Sequence, residues 1–199
     1  MAEILNRDPA CPEACCPGQF GAPIPHGITL SARTNLTLID LRGNPQHAEF
    51  LASAQAALRC ALPLKPNTAM CGPDCDVLWL GPDEWLLVGS DAAKINSELL
   101  ITSGFLTDVS HGRAPLRING PRTLDLLAKG CGLDLHPRVF QPGQCAQTSL
   151  AHIGVLIHRA QTGDGFDLYY ARSYAQHLWH WLTEAADEFG YEVIAPTDM

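Results

Sequence analysis

The sequence predicts an α+β fold of two similar halves, each placing helices on a mostly antiparallel sheet. Three observations carry this expectation. The order strand, helix, strand, strand, helix can be read along the chain about twice over. Two of the inferred strands are separated only by Gly81-Pro82-Asp83, a tight turn in which proline presets one dihedral and its neighbours tolerate the others. No glycine-rich phosphate loop follows any strand, which removes both the Rossmann fingerprint and the P-loop.

Taken in order, residues 1–25 are rich in Pro, Gly and Cys and show no periodicity, so they read as an extended arm. The first half occupies 26–106. Alternation over 35–42 gives a strand, after which Asn44 is a candidate N-cap with Pro45 at the first helical position. Phe50, Leu51, Ala54, Ala57, Leu58 and Ala61 then share one helical face. Strands follow at 76–80 and 84–89, and a short helix at 92–101. The second half occupies 107–199. A strand at 114–119 leads through Gly120-Pro121 into a helix with Leu124, Leu127 and Ala128 on one face, stopped by Gly130. Strand-like runs fall at 146–150, 153–158 and 166–171, the last preceded by the turn sequence Thr162-Gly163-Asp164-Gly165. Ser173 with Gln176 three positions on resembles a capping box and opens the last helix, which runs to about Phe189 and stops at Gly190.

Composition narrows the function classes. Apolar residues are 46% and charged residues 17% of the 199, the balance of a folded domain rather than a disordered chain. Thirteen basic against twenty-one acidic residues leave a net charge of −8, which disfavours a nucleic-acid partner. No apolar run approaches the roughly 20 residues of a membrane span. The first residues lack a basic flank followed by an apolar stretch, so a cytoplasmic protein is expected. In that setting Cys11, Cys15, Cys16, Cys60, Cys71, Cys75, Cys131 and Cys145 should be thiols. Cys11-x3-Cys15-Cys16 and Cys71-x3-Cys75 could be two halves of a zinc site, but a zinc knuckle is tighter, and incidental thiols are the expectation.

The search for chemistry yields little. The eight histidines are scattered, and His177 with His180 reads as a solvated helix face. Asp108-Val109-Ser110-His111 has the residue types of a hydrolytic triad, yet neighbours in sequence cannot take the mutual geometry that a triad needs. It reads as a connector whose Asp and Ser bond local backbone. Asp83 and Glu84 sit where solvated turn acids sit. No catalytic, cofactor-binding or metal residue is assigned.

Several segments together resemble the gamma subunit family of bacterial heterotetrameric sarcosine oxidases. They are the run from Leu78-Trp79-Leu80-Gly81-Pro82-Asp83-Glu84-Trp85 through Leu87, Asp108-Val109-Ser110, Leu127-Ala128-Lys129-Gly130-Cys131, and Leu133-Asp134-Leu135-His136-Pro137. Phe140, Gly143-Gln144-Cys145-Ala146-Gln147-Thr148, Ser173-Tyr174-Ala175 and Leu178-Trp179 extend the likeness over about residues 28–190. The resemblance implies a non-catalytic subunit assembled with alpha, beta and delta chains. In such a complex sarcosine is oxidised to glycine and peroxide, with FAD, FMN, NAD, tetrahydrofolate and zinc all held by other subunits. It also implies a fold similar to the folate-binding part of aminomethyltransferases. The cysteine-bearing tail and the Cys71 to Cys75 segment are departures from that family. They leave open the similar subunit of an N-methylglutamate dehydrogenase, and a stand-alone folate-binding or aminomethyltransferase-like protein is the other alternative.

A partner surface is sought on the last helix. Tyr174, Leu178, Trp181, Leu182, Ala185 and Phe189 form its expected buried stripe, and Trp179 falls roughly 105° from the centre of that stripe. Trp179, with Ala175 and Ala186 beside it, is therefore the candidate docking patch.

Overall fold

The computed structural model describes residues 10–12, 16–21, 25–89, 104–161 and 165–196. Its strands are β1 (Gly18–Phe20), β2 (Ile28–Ala32), β3 (Thr37–Gly43), β4 (Ala69–Cys71), β5 (Asp76–Gly81) and β6 (Glu84–Gly89), then β7 (Gly104–Asp108), β8 (Arg113–Asn119), β9 (Cys145–Leu150), β10 (Ile153–Arg159), β11 (Phe166–Ala171) and β12 (Tyr191–Val193). The helices are α1 (Ala48–Leu58), α2 (Thr123–Ala128) and α3 (Ala175–Ala186), the last bracketed by 3₁₀ turns at Arg172–Tyr174 and Asp187–Phe189.

Two sheets result. One has five strands in the order β4-β5-β6-β3-β7; the other has seven, β1-β12-β2-β8-β11-β10-β9. All neighbours are antiparallel except β12 and β2. The neighbour order β4-β5-β6-β3 repeats as β9-β10-β11-β8, so the doubled element order of the sequence is a doubled topology.

Alternation along the strands sorts side chains into layers, because successive residues face opposite sides of a sheet. Ile39, Leu41, Val77, Trp85 and Leu87 meet Phe50, Ala54 and Leu58 of α1 on one outer face. Trp85 is fully buried there, and its indole N–H donates to the Pro63 carbonyl at 2.8 Å. On the opposite outer face, Leu116, Ile118, Val155, Ile157, Leu168 and Tyr170 pack beneath α2 and α3. Between the sheets lie Leu38, Leu78, Leu86 and Val88 from one side and Cys145, Leu156 and Tyr169 from the other.

Most expected strands match the observed ones to within a residue, and several local expectations are corrected. The N-terminal segment is not simply an arm. β1 pairs with β12, Phe20 stacks on Tyr191 at 5.1 Å, and Cys11 is buried in the core under α3. β2 belongs to the second sheet and β7 to the first, so the two structural halves cross the 106/107 boundary. Asn44 does not cap α1: its side-chain oxygen accepts the Gln46 amide at 2.9 Å, holding a turn, and the helix starts at Ala48. Ala61 lies beyond the end of α1 and is exposed. In α2 the buried residues are Thr123, Leu126 and Leu127, while Ala128 is exposed. No side-chain cap forms at Ser173, and α3 follows a 3₁₀ turn instead. The helix expected at 92–101 and most of the Thr162-Gly163-Asp164-Gly165 turn lie outside the described residues.

The α3 surface also differs. The structure buries Ala175, Leu178, Trp179, Leu182 and Ala186, whereas Trp181 is half-buried and Tyr174 exposed. The buried stripe is rotated by roughly 60° from the expected one at 100° per residue. Tyr174 and Phe189, two anchors of the expected stripe, sit in 3₁₀ turns that advance faster per residue, so they carry no information about the phase of the helix between them. Small side chains at Ala175 and Ala186 let this face approach the sheet. Trp179 keeps only 9% of its surface, so it and the two alanines are core rather than a docking patch.

Candidate functional site

Polar chemistry in the interior is concentrated between the two sheets. β10, β11 and β8 align His158, Asp167 and Arg117 in one cross-strand row, all pointing at the five-stranded sheet. Arg33, just past β2, is held beside this row by its backbone bond to the Pro115 carbonyl at 3.1 Å. Asp167 accepts from Arg117 Nε at 2.8 Å and Nη2 at 2.6 Å, and from Arg33 Nη1 at 3.2 Å. His158 Nδ1 stands 4.0 Å from the same carboxylate. One acid thus ties strands from three places in the chain.

The electrostatics of this row suit a fastener better than a catalyst. Burial holds the His158 imidazole below its usual pKa against the opposing pull of Asp167, so it is neutral near pH 7. Burial likewise pushes the Tyr169 phenol far up. Neither is poised near neutrality to exchange protons with a substrate, and His158, Asp167, Arg33 and Tyr169 are all closed off from solvent.

Cys71, Cys75 and Cys145 are equally unreactive. A hydrogen bond to Asp76 raises the Cys71 thiol to about 11, and burial raises Cys75 and Cys145 to about 12. Thiols are poor nucleophiles in that state. Cys145 instead donates to the Thr68 carbonyl at 3.3 Å, and Gln147 Nε2 donates to the Leu80 carbonyl at 2.8 Å, joining β9 to the first sheet. No group of three or more metal-ligating side chains converges among the described residues.

The remaining sequence candidates are placed plainly. Asp108 Oδ1 accepts the Ser110 amide at 2.8 Å, and the buried Ser110 hydroxyl accepts the Leu38 amide at 2.8 Å, while His111 is exposed. Asp108 thus bonds local backbone as expected, whereas Ser110 bonds the distant Leu38 of β3 rather than its own segment. Glu84 pairs with Arg42 at 2.7 Å, and Asp83 is solvated. His180 pairs with Glu184 along α3 at 3.4 Å. His177 lines an open cleft of about 590 Å³ with Lys129, Cys131, His152 and Trp181. Its wall includes Ala151 and His152, both left-handed at φ 50° and 65°, at the tip of the β9–β10 hairpin. Gly130 is required there, since a Cβ would lie 2.5 Å from the Trp181 ring. Arg33, Arg117, His158 and Asp167 were not singled out by sequence reasoning. The available signal was a His and an Asp, each inside an otherwise apolar strand.

Two helix-covered sheets packed face to face with a repeated strand order make an α+β fold similar to that of an aminomethyltransferase. The aminomethyltransferase T of the Bartonella henselae glycine cleavage system shares it, with a TM-score of 0.59 at 20% identity, over 79% of this chain and 46% of that one. At that identity the likeness is one of fold. A closer structural likeness is to the heterotetrameric sarcosine oxidase of Corynebacterium sp. U-96, with a TM-score of 0.74 and 32% identity, covering 81% of this chain and 85% of the other. The sequence model of the sarcosine oxidase, gamma subunit family matches residues 42–188. Sarcosine oxidase subunit gamma of Corynebacterium sp. (strain U-96) is 34% identical over 96% of this chain and 95% of its own length. The Arthrobacter sp. subunit gives the same identity over the same shares. The chain belongs to the sarcosine oxidase gamma subunit family.

Proposed function

We propose that this chain is a non-catalytic assembly subunit of a heterotetrameric sarcosine oxidase, working in the cytoplasm with alpha, beta and delta partners. FAD, FMN, NAD, tetrahydrofolate and zinc belong, in this reading, to those other chains. The observation that carries it is the combination of full-length likeness to sarcosine oxidase subunit gamma with a buried polar row whose charged groups are spent on tying β8, β11 and the end of β2 together. A catalytic subunit needs a base or nucleophile tuned near neutral pH and open to substrate. Here His158, Tyr169, Cys75 and Cys145 are each driven away from that range.

The test is to purify the chain alone and with its co-expressed partners. Alone it is expected to be colourless, to retain no flavin through gel filtration, and to oxidise neither sarcosine nor N-methylglutamate. With its partners it is expected to co-purify in a flavin-coloured complex that oxidises sarcosine. Stoichiometric flavin on the isolated chain would overturn the reading, and a complex turning over only N-methylglutamate would reassign its substrate.

A further inference from the structure

With the α3 face buried, the contact to other subunits must lie elsewhere, and one corner of the five-stranded sheet is built for it. β7 ends that sheet, and among the described residues its one strand neighbour is β3. The register sets Phe105 beside Arg42 and Thr107 beside Asp40, with Glu84 on the far side of Arg42. Asp40 and Arg42 alternate with the core residue Leu41 and share a side with Leu38, so this row continues the face that elsewhere carries the second sheet. At the corner that cover stops. Phe105 is 75% exposed, the most exposed of the large apolar side chains described.

The polar part of the corner is unfinished in a complementary way. Asp40 Oδ1 is buried without a hydrogen-bond donor, the Arg42 Nε standing 3.7 Å away while its guanidinium is engaged by Glu84 at 2.7 Å. Burial, then the neighbouring Glu84 carboxylate, raise the Asp40 pKa against the opposing pull of Arg42 and Arg113. Asp83 stands near Arg42 on the adjoining turn. An exposed aromatic beside the Asp40 and Glu84 carboxylates suits a surface offering an apolar pocket rimmed by Lys or Arg.

We propose that Phe105, with Asp40 and Glu84 behind it, is the anchor by which this chain docks onto a larger subunit of its oxidase complex. The occupant is a hetero-subunit with a cation-rimmed apolar pocket, so the idea rests on the assembly reading above. Phe105 enters the pocket, and a partner Lys or Arg approaches the partly exposed Glu84 carboxylate beside Asp40.

The experiment uses the co-expressed complex, with a tagged partner subunit pulled down at limiting concentration over a salt series. Phe105→Glu and Phe105→Ser are expected to melt like the wild-type chain yet associate at least about tenfold more weakly, as loss of an interface anchor does. Asp40→Asn with Glu84→Gln is expected to weaken association at low salt and flatten its salt dependence. Leu64→Glu, another exposed apolar position, should stay within about twofold of wild type as an ordinary surface change. Phe105 variants that assemble like wild type would overturn the proposal and leave the assembly reading standing. So would variants that alter only the chain's self-association, pointing to a second copy as occupant. Failure of the wild-type chain to co-purify with any flavin-bearing partner would overturn both.

Discussion

Asp167→Ala tests how strongly the buried row holds the seven-stranded sheet together. Asp167 is 1% exposed and Arg33 3%, so removing the carboxylate takes its charged partner from a guanidinium held in the interior. Breaking a buried pair from one side costs about 3–5 kcal/mol, much of it the desolvation of the charge left behind. Arg117 is 29% exposed and can turn its head to water, so its loss adds little. That places the change at the lower end, about 3–4 kcal/mol. For a chain of this length about 2–4 °C accompany each kcal/mol, so the midpoint should fall by about 6–16 °C. Thermal unfolding of the purified chain at pH 7, followed by far-ultraviolet circular dichroism, reads this directly. A triple variant, Asp167→Leu with Arg33→Met and Arg117→Met, should regain most of the loss, because apolar replacement of a whole buried ion cluster is often neutral or better. An Asp167→Ala midpoint within about 1 °C of wild type would refute the reasoning.

Two further outcomes follow from the same interior. His158 is held neutral in the folded chain while an exposed histidine takes up a proton near pH 6.5, so its contribution is complete above that pH and is lost as pH falls towards its lower folded pKa. The wild-type chain should therefore lose up to about 1.4 kcal/mol per pH unit more than His158→Phe between pH 6.5 and 5, measured by urea unfolding; parallel stability curves would contradict this. Trp179→Ala should destabilise the isolated chain by about 3 kcal/mol, the low end for a large aromatic truncation because its rim is partly wet, and a variant with an unchanged urea midpoint would return Trp179 to the surface.

How much of this was legible in the sequence depended on whether local pattern or distant partners set each feature. The β5–β6 hairpin, β8, β10 and β11 were readable because alternation and turn residues act over a few positions. β1 and β2 were not placed in the second sheet, because that placement comes from β12 and β8, more than eighty residues away along the chain. The phase of α3 was misread because 3₁₀ turns at both ends hid where the α-helical rotation begins. Charges in strands normally mark a solvated face, so Arg117 gave no sign of burial. Asp167 and His158, each in a strand buried on both sides, were the better clue, since a charge there must find a partner.

Two copies of one strand order, packed face to face, must decide what to do with the space between them. At one end that space is aliphatic, with Leu78 and Leu86 against Leu156. At the other it holds Asp167 with its two arginines and a neutral histidine, and the row leaves no group tuned for proton transfer near neutral pH. An interior committed in this way to adhesion leaves specificity to the outside of the molecule. The outside is mostly charged or polar, and the exposed large apolar side chains described are Phe20, Leu64, Met70, Phe105, Val139 and Tyr174. Of these, Phe20 is stacked on Tyr191. Phe105 combines the greatest exposure with a neighbouring carboxylate that lacks its donor. Among the described residues nothing buries Phe105 at that corner, and the docking proposed above would cover it.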